Sequence, residues 1–348
     1  MVVGKQLIVL AGIIAIVASA CGGAGGGTAA TAAATQAGAS PGKTARPTVA
    51  IKVAYSNITG DDLTVWVAQE AGIFKANGLD VDLQYINGGA QTSAALLANQ
   101  VQFAQFGGGE MLGAVAGGAD LVAVAQLAPV YPYHLFVGKN IKTVADLKGK
   151  KVGVSNPGGS SDIATRDALK KLGLDPDKDV TIVAVGSHAN RTAALLSGAI
   201  DAGVDDPPED AELVKAGLTA LVDLAGQKIP ASNTGVIVQR SYLNANREIV
   251  QSYVDSIVQA VAYANKNKDF TIGVLKKYFK STDTASMEIA YDFFLKEVTP
   301  AYPFPGTDQL TTSVEILSKE NPKVKTVDLN KVVDRSFVQS ALDRKVGQ

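Results

Sequence analysis

One internal correspondence constrains this chain more than any other feature. A shift of 99 residues lays one stretch on the next: Val53 falls on Val152, Ser56 and Asn57 on Ser155 and Asn156, Gly60 on Gly159, and Val81 on Val180. The same offset carries Ala94, Ala95, Leu96 and Leu97 onto Ala193, Ala194, Leu195 and Leu196, and Val101 onto Ile200. What repeats is an order of elements: an apolar strand, a Gly/Ser turn, a helix, a second strand and a second helix. Short apolar strands alternating with amphipathic helices are the pattern of a parallel sheet covered by helices. Strands are expected at 51–55, 81–85, 102–106, 121–126, 151–155, 180–185, 202–204 and 235–239. The fold class is therefore α/β, with two lobes that each hold a mostly parallel sheet flanked by helices. About 300 residues also suit two domains better than one core.

The segment before this body has another character. Lys5 precedes an apolar run over 7–17, closed by Ala18, Ser19 and Ala20 and followed by Cys21. The run is shorter than the ~20 residues a spanning helix needs, and small residues end it as a cleavage site would. Residues 1–20 are expected to be a signal peptide and Cys21 a lipidation site, although Ala18 stands where such a lipobox usually holds Leu. An uncleaved anchor, or a plain secretory peptide with a chance cysteine, is the alternative. Residues 21–49 then form a linker of Gly, Ala, Thr, Ser, Pro and Gln, with too little apolar bulk to order itself. At about 5–6 Å × √n its mean reach is roughly 30 Å. Beyond it, residues 50–132 with 240–348 are assigned to the first lobe and 133–239 to the second. The crossings are placed in the Pro- and Tyr-containing stretch 128–133 and near 229–234.

Several classes are excluded or disfavoured. A formal net charge of −1 without a basic cluster speaks against a nucleic-acid partner. Cys21 is the single cysteine, so the body can form no internal disulfide and no cysteine-based metal site. With only His134 and His188, a His-rich metal site is not expected, no metal or cofactor is assigned, and no Ser-His-Asp arrangement stands out. A phosphate loop of the GxxxxGK[ST] type is absent.

Four segments carry a family likeness: 67–74 (VAQEAGIF), 77–83 (NGLDVDL), 145–154 (ADLKGKKVGV) and 193–202 (AALLSGAIDA). In this order they resemble the substrate-binding proteins for nitrate, taurine, alkanesulfonates and the pyrimidine precursor of thiamine. The resemblance runs from about residue 50 to the end. It implies a periplasmic-binding-protein fold of the second type and a monomer outside the cytoplasm, tethered to the membrane through Cys21. It further implies a small-molecule ligand in an interlobe cleft, delivery to an ABC permease, no cofactor and no catalysis. The ligand is a sulfonate, nitrate or related organic anion, or alternatively a thiamine-precursor-like pyrimidine or other heterocycle. The rivals are a sensory module or an enzyme on the same fold. The related pyrimidine synthases carry a cysteine-rich iron motif that this chain lacks.

Candidate ligand contacts follow from the rule that ligands sit beyond the carboxyl ends of parallel strands, where loops and helix N-termini converge. In the second lobe these are Ser160 and Ser161, which could hold an anion or merely cap their helix. In the first they are Asn57 and Thr59, with Asp61 or Asp62 read as the cap. Gly88, Gly89 and Gly108 would let backbone approach a bound molecule. Glu110, after the glycine turn 107–109, would repel an anion and favour an amine or heterocyclic N–H, unless it is a solvated side chain. Asp205, beside Asp206, poses the same question. Arg191 could clamp a carboxylate with its planar fork or pair with Asp205 or Asp206. Tyr131, Tyr133 and His134 either close over a ligand or pack in the hinge.

Overall fold

The computed structural model describes residues 48–348; the expected signal peptide, Cys21 and nearly all of the expected linker lie outside the described residues. The chain opens with β1 (Val49–Tyr55), α1 (Leu63–Glu70), α2 (Ile73–Ala76), β2 (Leu79–Tyr85), α3 (Gly89–Leu97), β3 (Phe103–Phe106), α4 (Gly108–Ala116) and β4 (Leu121–Val130). It crosses to β5 (His134–Val137), β6 (Lys151–Val154), α5 (Ser160–Lys171), β7 (Thr181–Ala184), α6 (His188–Ser197), β8 (Ala202–Asp205), α7 (Asp210–Lys215) and β9 (Thr219–Asp223). It returns through β10 (Pro230–Gln239) and ends in α8 (Arg240–Ala245), α9 (Arg247–Lys266), α10 (Lys268–Phe279), α11 (Thr284–Phe293), α12 (Thr311–Leu317) and α13 (Ser336–Asp343).

These strands form two five-stranded sheets, ordered β2-β1-β3-β10-β4 and β7-β6-β8-β5-β9. The 99-residue offset reappears in the hydrogen-bond register. Val53 pairs with Leu83 and Phe103, and Val152 pairs with Ile182 and Ala202. Even a side-chain contact repeats: Lys52 N donates to Gln102 Oε1 at 2.8 Å, and Lys151 N donates to Asp201 Oδ2 at 2.9 Å. Burial follows strand position. Edge strand β2 alternates, with Leu79 and Val81 inside and Asp80 and Asp82 outside, whereas central β3 is buried throughout.

Three expectations change. Each sheet is mixed, with two parallel and two antiparallel pairings. Strands β5 and β9 were not expected: β5 begins two residues after Pro132 in the crossing, and β9 is a five-residue edge strand, half-exposed despite its Ala220-Leu221-Val222 run. The third concerns residues 230–239, assigned from sequence to the second lobe. As β10 they pair antiparallel between β3 and β4 of the first sheet. The physical reason is their continuous burial from Ala231 to Val238, which an interior strand position satisfies and a connecting segment does not.

The first-lobe core lies between its sheet and α1, α9 and α10. Phe103 stacks on Tyr253 at 4.2 Å and Phe74 on Tyr253 at 5.4 Å, while fully buried Trp66 stacks on Tyr278 at 4.6 Å. The helices after β10 thus return to the first lobe. Leu317 of α12 touches core residues of both lobes. Among the described residues no helix is long and apolar enough to cross a membrane.

Candidate functional site

The five loops that follow β1, β2 and β3 in one lobe and β6 and β7 in the other supply most of an enclosed, polar cavity of about 40 Å³. That is room for a small polar group; drug-sized ligands occupy roughly 300–1,000 Å³. Both lobes line it, and Ser160 Oγ donates to the Asn233 carbonyl of β10 at 2.8 Å, tying the second lobe to the first. The structure therefore has its lobes in contact over the cavity.

Three of the helix starts around the cavity have glycine as the cap residue. The residues preceding α3, α4 and α5 are Gly88, Gly107 and Gly159, and none offers a side chain to the first-turn N–H groups. Those donors remain available at the positive end of each helix. The carboxyl of Glu110 lies among them. A Cβ added at Gly89 would sit 2.3 Å from Glu110 Oε1, one at Gly159 2.7 Å from the same atom, and one at Gly107 2.5 Å from Oε2. Glycine at these three positions, drawn from both lobes, leaves the space that this one acid occupies. Glu110 Oε2 is buried without a partner, and burial, with the Asp162 carboxylate adding to it, pushes the acid up to about 7.

Arg191 faces the cavity from α6 and is only 1 % exposed. Its Nε donates to the Val204 carbonyl and its Nη1 to Ser155 Oγ at 2.8 Å. Neither bond is to an acid, and the guanidinium keeps unspent donors for a solute. Its carbon lies 5.9 Å from the ring centre of Tyr133, which also lines the cavity. On the opposite wall Asp61 Oδ2 accepts from Asn233 Nδ2 at 2.6 Å and Thr234 Oγ1 at 2.8 Å, while Oδ1 is buried and unpartnered. Burial raises Asp61 to about 6 despite those two donors. His188 lines the second-lobe side with Nε2 against Asp205 Oδ1. Burial opposes its charge, but the Asp206 and Asp205 carboxyls outweigh that and raise the imidazole to about 9.

Of the residues expected from sequence, Asn57, Thr59, Gly88, Gly89, Glu110, Ser160, Ser161 and Arg191 all line this one cavity. Gly108 and Asp205 do not. Gly108 is turned toward β10, where a Cβ would meet Ser232 at 2.5 Å, and its neighbour Gly107 takes the cavity wall instead. Asp205 is fully buried behind His188 and accepts from Thr192 Oγ1 at 2.8 Å and Asp206 N at 3.0 Å. The serines do not cap α5: the Ser160 hydroxyl spans the lobes, and Ser161 Oγ accepts from Ser155 N at 2.9 Å. Tyr131 is buried in the second-lobe core, and His134 lies between Asp210 and Asp223 at 3.5 and 3.6 Å. Asp61, His188, Asn233 and Thr234 were not singled out as contacts. Asp61 reads as a helix cap, and Asn233 and Thr234 read as connection. Their one sequence signal was polarity inside an otherwise buried strand.

The NMT1/THI5 like family profile matches residues 61–269. A binding protein of Brucella abortus is 27 % identical over 254 residues, 71 % of this chain and 77 % of its own length. An Escherichia coli protein named for aliphatic sulfonate binding is 30 % identical over 194 residues, 54 % of this chain and 59 % of its own. Among solved structures, the alkanesulfonate-binding protein SsuA of Xanthomonas axonopodis pv. citri, bound to MOPS, superposes with a TM-score of 0.67 at 20 % identity. That match covers 85 % of this chain and 99 % of SsuA. The likeness fixes a periplasmic-binding-protein fold.

Proposed function

Because this chain belongs to the NMT1/THI5 like family, we propose that it is the solute-binding lipoprotein of an ABC importer. It works outside the cytoplasm, as a monomer tethered through Cys21, and delivers one small organic molecule to a membrane permease. The observation that carries the reading is the enclosed polar cavity to which both lobes contribute loops. A solute that bridges the lobes stabilises their closed arrangement, and a permease can recognise that arrangement. The finer role follows the relatives: the SsuA structure holds MOPS, and one relative is named for aliphatic sulfonates.

Arg191 and the uncapped starts of α3, α4 and α5 favour an oxyanion such as a sulfonate, nitrate or carboxylate. Asp61 and Glu110 support a second reading. Each is a buried acid with a free oxygen at the cavity, able to meet an N–H of a thiamine-precursor-like pyrimidine or another heterocycle. Catalysis is not part of the proposal. That exclusion rests on the relatives, which are named for binding.

Calorimetric titration of residues 49–348 with sulfonates, carboxylates, nitrate and pyrimidines tests the reading. One of these classes is expected to bind with one equivalent per chain, with no turnover of the bound compound. Absence of binding by all four classes, or turnover of a compound that binds, refutes it. For the tether, Cys21→Ser is expected to release the protein from the membrane fraction; retention there refutes the anchor.

A further inference from the structure

Beside the cavity, on the second lobe, cavity-lining His188 adjoins two acids, Asp206 and Glu209, that solute capture does not use. A ring nitrogen of His188 and one carboxylate oxygen each from Asp206 and Glu209 all lie within 4.8 Å of one another. Asp206 is 1 % exposed, and its Oδ1 has no hydrogen-bond partner; Glu209 Oε2 is likewise buried and unpartnered. Buried carboxylate oxygens are ordinarily satisfied, because an unpaired one loses its hydration without return. An ion pair with His188 leaves this unexplained, since the hydrogen bond of His188 goes to Asp205 and not to either free oxygen.

We propose that His188, Asp206 and Glu209 form a binding site for one divalent transition-metal cation of the zinc class. One imidazole and two carboxylates are the donor types such a cation takes, and two carboxylates balance its charge. Donors on one tetrahedral zinc ion lie roughly 3.3–3.5 Å apart, so the three atoms close by at most about 1.5 Å. With Nε2 of His188 engaged by Asp205, Nδ1 is the donor left for the cation, and Asp205 is then the outer carboxylate partner that metal-bound histidines characteristically have. It is itself held by Thr192 Oγ1 at 2.8 Å and Asp206 N at 3.0 Å, which fixes the imidazole plane. Asp206 and Glu209 flank the turn after β8, so both donors come from one short loop next to the start of α6. Three protein donors leave a coordination position open, and His188 also borders the solute cavity. The site does not depend on the solute reading, and it departs from the sequence expectation of no metal.

The test is calorimetric titration of the full chain with zinc chloride in chelator-stripped buffer without organic solute, repeated with cobalt(II) chloride while its visible absorption is followed. One equivalent of zinc per chain is expected, with an intense tetrahedral cobalt spectrum. His188→Ala and Asp206→Asn should each abolish binding, and Glu209→Gln should weaken it at least tenfold. Asp205→Asn should weaken it about 10–100-fold without changing the stoichiometry. Cys21→Ser should leave binding unchanged, because the thiol is no part of the site. Far-UV circular dichroism in EDTA checks the fold of each variant. Should the buried variants fail to fold, half-buried Glu209→Gln decides alone. The proposal is overturned if the wild-type chain takes up no stoichiometric zinc. It is also overturned if Glu209→Gln binds as wild type does, or if Cys21→Ser removes the binding.

Discussion

Replacing Glu110 by Gln should make the protein more stable, and more so as the pH rises. The carboxyl is buried among Gly89, Gly107 and Gly159, and burial raises it from 4.5 to about 7. Below pH 4.5 the folded and unfolded chains both hold this proton. Between 4.5 and about 7 only the folded chain keeps it, so unfolding releases a proton and stability falls as pH rises. Above about 7 the loss is complete. At 1.36 kcal/mol per pKa unit it amounts to about 3 kcal/mol. An acid at a helix start gains roughly 0.3–1 kcal/mol, so the uncapped starts of α3, α4 and α5 work against burial and set the real contest at this site. Glutamine keeps the shape and cannot ionise. Urea unfolding of residues 49–348 and of Glu110→Gln, without solute, at pH 4, 5, 6, 7 and 8, gives the difference curve directly. Asp61, Glu209 and the other buried acids titrate in both proteins and cancel from it. The expected difference is constant near pH 4 and grows by about 3 kcal/mol in favour of Glu110→Gln by pH 8. A flat difference refutes the burial argument. A difference of opposite slope means that the helix starts hold Glu110 as a carboxylate.

Four other outcomes follow from single contacts. Ser160→Ala removes the bond to the Asn233 carbonyl that joins the lobes; at about 1 kcal/mol for such a bond, solute affinity by calorimetry should fall about fivefold. Arg191→Lys keeps the charge but loses the planar fork and the bonds to Val204 and Ser155, so affinity for an anionic solute should fall by about 100-fold; retained affinity would show that Arg191 is structural. Gly159→Ala places a Cβ 2.7 Å from Glu110 Oε1 and should weaken solute binding, and Glu110→Ala in the same chain should restore most of the lost closure, read as a coupling in a double-mutant cycle. Trp66→Ala should cost about 3–5 kcal/mol by urea unfolding followed with circular dichroism, because it empties a fully buried site stacked on Tyr278.

Which parts of this site could be foreseen depends on how local their cause is. The two lobes were legible because Val53 and Val152 occupy equivalent places in equivalent sheets, and a register that repeats in space must repeat along the chain. The loops after the parallel strands were legible for the same reason: the handedness of a strand–helix unit sends every such loop to one edge of the sheet. Gly108 fails by one residue, since successive positions in a helical turn point about 100° apart and sequence does not say which glycine of 107–109 faces the cavity. Asp61, Asn233 and Thr234 fail for a deeper reason. Their meeting needs β10 to insert between β3 and β4 after the chain has visited the other lobe, a pairing of residues more than 170 positions apart. No local pattern encodes that insertion. It is the buried run from Ala231 to Val238 that demands an interior position, and only the assembled first lobe has one to offer. The polar residues of that run are then not exceptions to the hydrophobic pattern. Asn233 and Thr234 close the cavity opposite Arg191 and give the buried Asp61 carboxyl its partners, while Ser232 bonds Gln126.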